Sequence, residues 1–137
     1  MDVFIAVETE MFNHREVRSH FINPCCFGED FADWLKKEIW SLADSGFNFS
    51  KIIQEDYGWG FWAWHGRDRF WVAISYVGDG PQEVPAQWVV SVNYDSGLLK
   101  RLLHRPDRYA LRQLRGYVLR AVTSEARIRV IQAQRET

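Results

Sequence analysis

Two neighbouring cysteines, Cys25 and Cys26, are the residues of this chain that could supply a nucleophile. Either thiol would need a histidine as its base to drive covalent catalysis. The favoured interpretation is that both act as small hydrophobic residues just before a helix. Because adjacent cysteines rarely bond to each other, the pair also indicates a reducing compartment, and we expect a cytoplasmic protein.

The other residue types that bind metals or perform catalysis lack a recognisable arrangement. The four histidines are scattered, and no cysteine or carboxylate accompanies them at the spacing of a zinc site, which needs three or four converging ligands. No phosphate-binding loop, dinucleotide fingerprint or nucleophile elbow is present. The sequence therefore predicts no catalytic residue, no metal and no cofactor, and it favours a protein that is not an enzyme.

Aromatic and acidic residues are concentrated between Glu55 and Trp64. In an extended strand alternate side chains share a face, so Trp59 and Phe61 lie on one side and Trp62 and Trp64 on the other. Helices packed on one side of a sheet bury only one of these pairs, so the other pair is either covered by the N-terminal segment or left partly exposed. We expect Trp62 and Trp64 to be the exposed pair, because contiguous exposed aromatic residues mark interaction sites.

The predicted partner-binding residues combine an acidic turn, the two outer tryptophans and one arginine: Glu55, Asp56, Tyr57, Trp62, Trp64 and Arg67. Glu55 and Asp56 are adjacent, so on an extended chain their carboxylates point apart and do not form an acid–base pair. The glycines at 58 and 60 predict either that another backbone approaches this strand closely or that the strand is kinked.

Charge is distributed unevenly along the chain. Residues 1–95 contain seven basic and fifteen acidic residues, a net charge of −8, whereas residues 96–137 contain ten basic and three acidic residues, a net charge of +7. Such an asymmetry can mark a nucleic-acid surface, although oppositely charged parts that face each other would also produce it. The candidate nucleic-acid contacts recur at spacings of three and four: Arg101, Arg105, Arg108, Arg112 and Arg115.

The hydrophobic pattern places these residues on a mixed set of elements. Alternation predicts strands at 3–7, 17–22, 59–65, 70–77, 87–94 and 127–132, with a tight hairpin turn at Gly66-Arg67-Asp68. Helical spacing predicts a helix over 29–45 ended by Gly46, a short helix over 98–104, and a long helix opened by Pro106 whose arginines face solvent.

These elements form one α+β domain over residues 1–137. The short connections favour a mostly antiparallel sheet of about five to six strands, with the two main helices on one face. The hydrophobic share of 47% and net charge of −1 are typical of a single soluble domain. No apolar run reaches the roughly 18 residues of a membrane span, and the N-terminus lacks the features of a signal peptide, so we expect no membrane contact.

Two segments resemble a pattern in small, uncharacterised bacterial proteins. One segment runs from His20 to Leu35 as HFINPCCFGEDFADWL, and the other is Glu55-Asp56-Tyr57-Gly58-Trp59. The resemblance covers about residues 20–105. It implies a stand-alone bacterial protein of similar size, and it carries over no activity and no catalytic residue.

Our leading hypothesis is therefore a non-enzymatic bacterial binding protein that contacts a protein partner through an aromatic and acidic sheet surface, in an immunity-like or accessory role. Two alternatives stay open. One is a nucleic-acid-binding domain that uses the arginine-rich last helix, and the other is a small cysteine-dependent enzyme.

Overall fold

The computed structural model describes residues 4–42, 46–78, 85–95 and 107–134, so the short helix predicted over 98–104 lies outside the described residues. Within these ranges the chain forms seven strands and two helices. In chain order they are β1 (Ile5–Glu8), α1 (Glu29–Leu42), β2 (Asn48–Phe49), β3 (Ile53–Glu55), β4 (Gly58–His65), β5 (Asp68–Val77), β6 (Gln87–Tyr94), α2 (Arg108–Ser124) and β7 (Arg129–Ala133). The predicted α+β class with an antiparallel sheet is confirmed.

All strands join one sheet in the order β2-β4-β5-β6-β1-β7, and every pairing in it is antiparallel. β3 pairs with the start of β4, on the same edge that β2 occupies further along. The hairpin between β4 and β5 turns at Gly66 and Arg67, where Gly66 has a φ of 60°. Asp68, predicted in this turn, is instead the first residue of β5 and is buried.

Both helices pack on the same face of the sheet and against each other, which buries one alternating set of strand residues. Phe61, Val72 and Val92 lie side by side across β4, β5 and β6, and each is fully buried. Helix α1 contributes Phe31, Leu35 and Ile39 to this core, at the predicted spacing of three and four residues. From α2 the buried residues are Ala110, Leu114, Val118, Ala121 and Val122.

The segment between β1 and α1 extends the same core instead of forming a strand. The prediction of a strand over residues 17–22 is wrong: Phe21 packs its ring on Trp59, while Val17 and Ile22 are exposed. Both neighbours of β1 in the sheet are already other strands, β6 and β7, so no place beside it is left. Further back, Phe12 stacks on Phe31 with ring centroids 4.2 Å apart.

Helix α2 begins at Arg108, after Asp107, whose carboxylate accepts hydrogen bonds from the backbone amides of Tyr109 and Ala110. The predicted start at Pro106 lies outside the described residues. Asp107 has an extended backbone, which is the usual geometry of an N-cap residue. The amide of Asp107 in turn donates to the buried carboxylate of Asp68, which ties the helix start to the sheet.

Candidate functional site

The sheet face opposite the helices is covered by no helix or strand within the described ranges. Its aromatic residues and one arginine form a continuous group that we call the aromatic face: Tyr57, Trp62, Trp64, Arg69 and Trp71. Antiparallel register places Trp62 directly opposite Trp71 and Trp64 directly opposite Arg69. Directly opposed residues have their Cβ atoms about 5 Å apart, so these side chains meet across the hairpin.

Arg69 lies at the hairpin end of this group, where it contacts Trp62. Its guanidinium carbon is 4.1 Å from the ring centroid of Trp62, and the rings of Trp62 and Trp71 are 4.7 Å apart. The Nε of Arg69 donates to an Asp95 carboxylate oxygen at 2.9 Å, and the backbone amide of Asp95 donates to the Arg69 carbonyl. Because both its guanidinium group and its backbone carbonyl are hydrogen-bonded to Asp95, Arg69 holds its planar cation in a fixed position over the ring of Trp62.

Tyr57 closes one end of the aromatic face. The indole N–H of Trp71 donates to the Tyr57 hydroxyl oxygen at 2.7 Å. Desolvation raises the pKa of Tyr57 above its usual value. The hydrogen bond from Trp71 lowers this pKa, but its effect is smaller than that of desolvation. The hydroxyl therefore keeps its proton, and this O–H can donate to another group because Trp71 uses only the oxygen as an acceptor.

Gly60 makes room for the indole of Trp71. A Cβ at position 60 would stand 2.6 Å from Cζ2 of Trp71 and 2.4 Å from the carbonyl oxygen of Val72. At Gly58 a Cβ would stand 2.0 Å from the carbonyl oxygen of Ile74. The close backbone approach predicted from these glycines is confirmed, and it lets Trp71 lie flat enough to be only 8% exposed.

The two tryptophan pairs of β4 are separated as the alternation predicts. Trp59 and Phe61 are 4% and 0% exposed in the helix-facing core, where the Trp59 indole N–H donates to the Cys26 carbonyl at 2.7 Å. Trp62 and Trp64 are partly exposed on the helix-free side. Helix α1 covers Trp59 and Phe61, and the rings of His20 and Phe21 pack on Trp59.

The other predicted partner-binding residues lie at the two ends of β4. Glu55 is the exposed last residue of β3, Asp56 is exposed in the turn that follows, and Tyr57 is 37% exposed beside them. Arg67 is exposed in the turn after β4, about 25 Å away along the eight-residue strand. Arg67 therefore does not join the acidic turn in one patch.

Arg69 and Trp71 are the members of the aromatic face that the sequence reasoning missed. A two-residue turn at Gly66 and Arg67 fixes the register of the hairpin, so the pairing of Trp62 with Trp71 and of Trp64 with Arg69 could have been read from the sequence. Asp95 carried no comparable signal, because its approach to Arg69 depends on the position of β6.

Three of the five arginines predicted to contact nucleic acid lie in the described part of the chain, and they differ in exposure. Arg108 and Arg112 are exposed on α2, whereas Arg101 and Arg105 lie outside the described residues. Arg115 was expected to face solvent, and this is wrong: its Nε and Nη2 both donate to the Val92 carbonyl, at 3.1 and 2.8 Å. It reaches the sheet because its position on α2 lies over the end of β6.

The cysteines also differ from expectation, because Cys25 and Cys26 form a disulfide with each other. Cys25 is exposed and Cys26 is buried, and both sulfurs lie against the turn between β3 and β4. Among the described residues, no histidine hydrogen-bonds to either sulfur; His20 instead pairs with Glu29 at 2.7 Å.

The described part of the chain contains no group of three or more histidine, cysteine, aspartate or glutamate side chains that could hold a metal ion. Neither of its two helices is long and apolar enough to cross a bilayer. No family model, no curated protein and no solved structure matches this chain.

Proposed function

We propose that this chain is a non-enzymatic binding protein whose aromatic face docks a protein partner. The observation that carries the proposal is the contact of Trp62 with both Arg69 and Trp71 on a sheet face that no described helix covers. Tryptophan, tyrosine and arginine are the residues that most often dominate binding energy at protein interfaces. Tyr57, Trp62, Trp64 and Arg69 reach solvent around the buried Trp71, and a contiguous group of such residues supports an interaction site.

The charges around the aromatic face favour a partner with an apolar anchor next to a basic side chain. The positive charge of Arg69 is balanced by Asp95, so Arg69 contributes to binding through its planar guanidinium group and not through an unpaired charge. The carboxylates of Glu55 and Asp56 lie exposed beside Tyr57 at one end. A partner that places an aliphatic or aromatic side chain on Trp62 and Trp64, and a lysine or arginine at the acidic turn, would match both features.

Site-specific photocrosslinking tests the proposal. A photoreactive amino acid replaces Trp64 in one variant and Trp40 in a matched control, since Trp40 is 64% exposed but lies on α1, on the other side of the sheet. We expect one protein to crosslink from position 64 and not from position 40. That protein, once purified, should bind the unmodified chain, and Trp64→Ala should weaken the binding at least about tenfold, as hot-spot truncations do.

The proposal fails if positions 64 and 40 yield the same crosslinked proteins, or if the purified candidate binds Trp64→Ala as tightly as the unmodified chain. Melting temperatures of every variant accompany the binding data, so that a loss of binding is separated from a loss of folding. Trp40→Ala serves as the control for removing an exposed tryptophan from the surface.

The biological setting belongs to the same proposal. We propose a bacterial protein in an immunity-like or accessory role, on the strength of the resemblance in residues 20–35 and 55–59 and of the lack of any catalytic motif in the sequence. A cytoplasmic location stays a prediction, and the Cys25–Cys26 disulfide removes the argument for it that came from unbonded cysteines. Nucleic-acid binding through the arginine-rich last helix also stays a prediction, and so does a cysteine-dependent activity.

A further inference from the structure

We infer that Cys25 and Cys26 form a reversible thiol–disulfide exchange site, in which Cys25 is the attacking thiol and Cys26 the resolving thiol. The inference is independent of the protein partner proposed above. It rests on the bond between the two residues, on their unequal exposure, and on the contacts that anchor their loop to the sheet.

The two cysteine residues differ in how exposed they are to a second molecule. Cys25 is an exposed residue, whereas Cys26 is 7% exposed, with its sulfur 3.1 Å from the carbonyl oxygen of Asp56. Exchange requires a thiolate to approach a disulfide sulfur in line, so only the accessible thiol can meet a small disulfide from solution. Cys25 is the residue that satisfies this requirement in the structure.

The loop that carries the cysteines is fixed to β3 and the following turn. The side chain of Gln54 accepts from the Ile22 amide at 2.7 Å and donates to the Asn23 carbonyl at 2.8 Å. The Trp59 indole N–H donates to the Cys26 carbonyl on the other side. Because the backbone is held on both sides of the pair, Cys26 stays next to Cys25 throughout the reaction.

A low-molecular-weight disulfide such as oxidised glutathione is the oxidant in this exchange and accepts the two electrons that the cysteines lose. The Cys25 thiolate attacks one glutathione sulfur, forms a mixed disulfide and expels the first glutathione thiolate. The Cys26 thiolate then attacks Sγ of Cys25, closes the internal disulfide and expels the second glutathione thiolate. The two protons released by the cysteine thiols leave with the two glutathione molecules, so the protein loses two electrons and one disulfide is reduced.

The redox state also changes what the pair does to the neighbouring turn. The sulfurs of Cys25 and Cys26 lie 3.8 and 3.1 Å from the carbonyl oxygen of Asp56. As thiols, both residues are hydrogen-bond donors and can bind this oxygen. As a disulfide they have no S–H group, so the Asp56 carbonyl loses both donors, and Asp56 directly precedes Tyr57 of the aromatic face.

Intact mass spectrometry of the full chain tests the assignment. The reduced protein is mixed with oxidised glutathione, and aliquots are quenched with acid over time. We expect the unmodified chain to finish with an internal disulfide and no retained glutathione. Cys26→Ser should retain one glutathione because its resolving thiol is missing, and Cys25→Ser should form an adduct at least about tenfold more slowly because its remaining thiol is buried.

Three results would overturn the inference: a glutathione adduct that persists on the unmodified chain, equal adduct formation by Cys25→Ser and Cys26→Ser, or an internal disulfide that reduced glutathione fails to open. Peptide mapping of early aliquots of the unmodified chain provides a second measurement that needs no variant. It should find glutathione on Cys25 and not on Cys26, and the reverse placement would reject the assigned roles.

Discussion

Trp62 and Trp64 share a face of the sheet but differ in what they contact. Trp62 is packed on Trp71 and under Arg69, whereas Trp64 lies opposite Arg69 at the end of the strand. We expect Trp62→Ala to lower the free energy of unfolding by about 1–2 kcal/mol, through loss of the ring pair and the cation–π contact. For Trp64→Ala we expect a loss within about 1 kcal/mol.

Urea denaturation of the two variants and of Trp59→Ala measures these differences. Trp59 is buried and hydrogen-bonded, so Trp59→Ala should lower the free energy of unfolding by about 3–5 kcal/mol, which is more than either Trp62→Ala or Trp64→Ala. A larger loss for Trp64→Ala than for Trp62→Ala would contradict the geometry. Trp64 is accordingly the better residue for separating partner binding from stability.

Two glycines give opposite predictions for the same substitution. At Gly60 an added Cβ would overlap the Val72 carbonyl oxygen and the Trp71 ring, and we expect Gly60→Ala to destabilise the fold by about 1–3 kcal/mol. Gly116 lies in the exposed middle of α2, and a Cβ there would meet no atom within 4 Å. Gly116→Ala should stabilise the fold by about 0.5–1 kcal/mol, since alanine favours the helix and restricts the unfolded chain.

Thermal melts of both glycine variants check this pair. A rise in melting temperature for Gly60→Ala would mean that the strand can move away from β5 at little cost. A fall for Gly116→Ala would show that α2 packs against something at that position.

At the scale of single elements, the N-cap of α2 is the most direct prediction. Asp107 accepts hydrogen bonds from the amides of Tyr109 and Ala110, and removing its side chain leaves both donors without that partner. Asp107→Ala should therefore lower the free energy of unfolding by about 1 kcal/mol. Denaturant unfolding measures the loss, with Thr123→Ala as the control, because Thr123 is exposed and bonds only to carbonyls of its own helix.

The long elements and the strands β1 and β7 were predictable from sequence, whereas the two shortest strands, β2 and β3, were not. Helix α1 and strands β4, β5 and β6 have enough residues for a clear period of 3.6 or two, and they lie where the pattern put them. β2 and β3 have two and three residues, interrupted near Ser50, whose backbone N–H donates to the Trp62 carbonyl and whose hydroxyl accepts the Trp62 amide. Strands of two or three residues are too short to show a periodic hydrophobic pattern. β2 and β3 are strands because they pair with the edge of β4.

The candidate site was predictable to a similar extent. Alternation along β4 identified Trp62 and Trp64 as the outer pair, because that inference needs only one strand. Arg69 and Trp71 required the register of a hairpin, and Asp95 required a third strand. The bond between Cys25 and Cys26 had no sequence signal beyond their adjacency.

At the scale of the whole molecule, Glu10 connects the segment after β1 to the start of β6. Its carboxylate accepts from the Ala86 amide and lies 3.1 Å from Nε2 of the buried His14. The hydrogen bond from Ala86 lowers the pKa of Glu10 below its usual value of 4.5. A carboxyl whose folded pKa is lowered stabilises the fold above its unfolded pKa, and this contribution is lost as the pH falls through the folded value.

We therefore expect Glu10→Gln to reduce stability at neutral pH, with the difference from the unmodified chain shrinking as the pH falls below 4.5. Urea midpoints measured across this range give the result, and Glu16→Gln, at a nearby exposed carboxylate, is the matched control. A difference between Glu10→Gln and the unmodified chain that grows on acidification would show that the sign of the pKa shift is wrong.

The position of β1 has a consequence for how the protein is made. β1 lies between β6 and β7, so residues 5–8 pair with residues 87–90 on one side and with residues 129–133 on the other. Pairing of neighbouring strands closes only short loops, so the β4–β5–β6 meander can form before β1 pairs with residues that are far away in the chain. Ile5 and Val7, which are fully buried in the finished sheet, stay exposed until β1 joins it. The addition of β1 is thus the step that completes the core, and the interval before it is when a chaperone would bind.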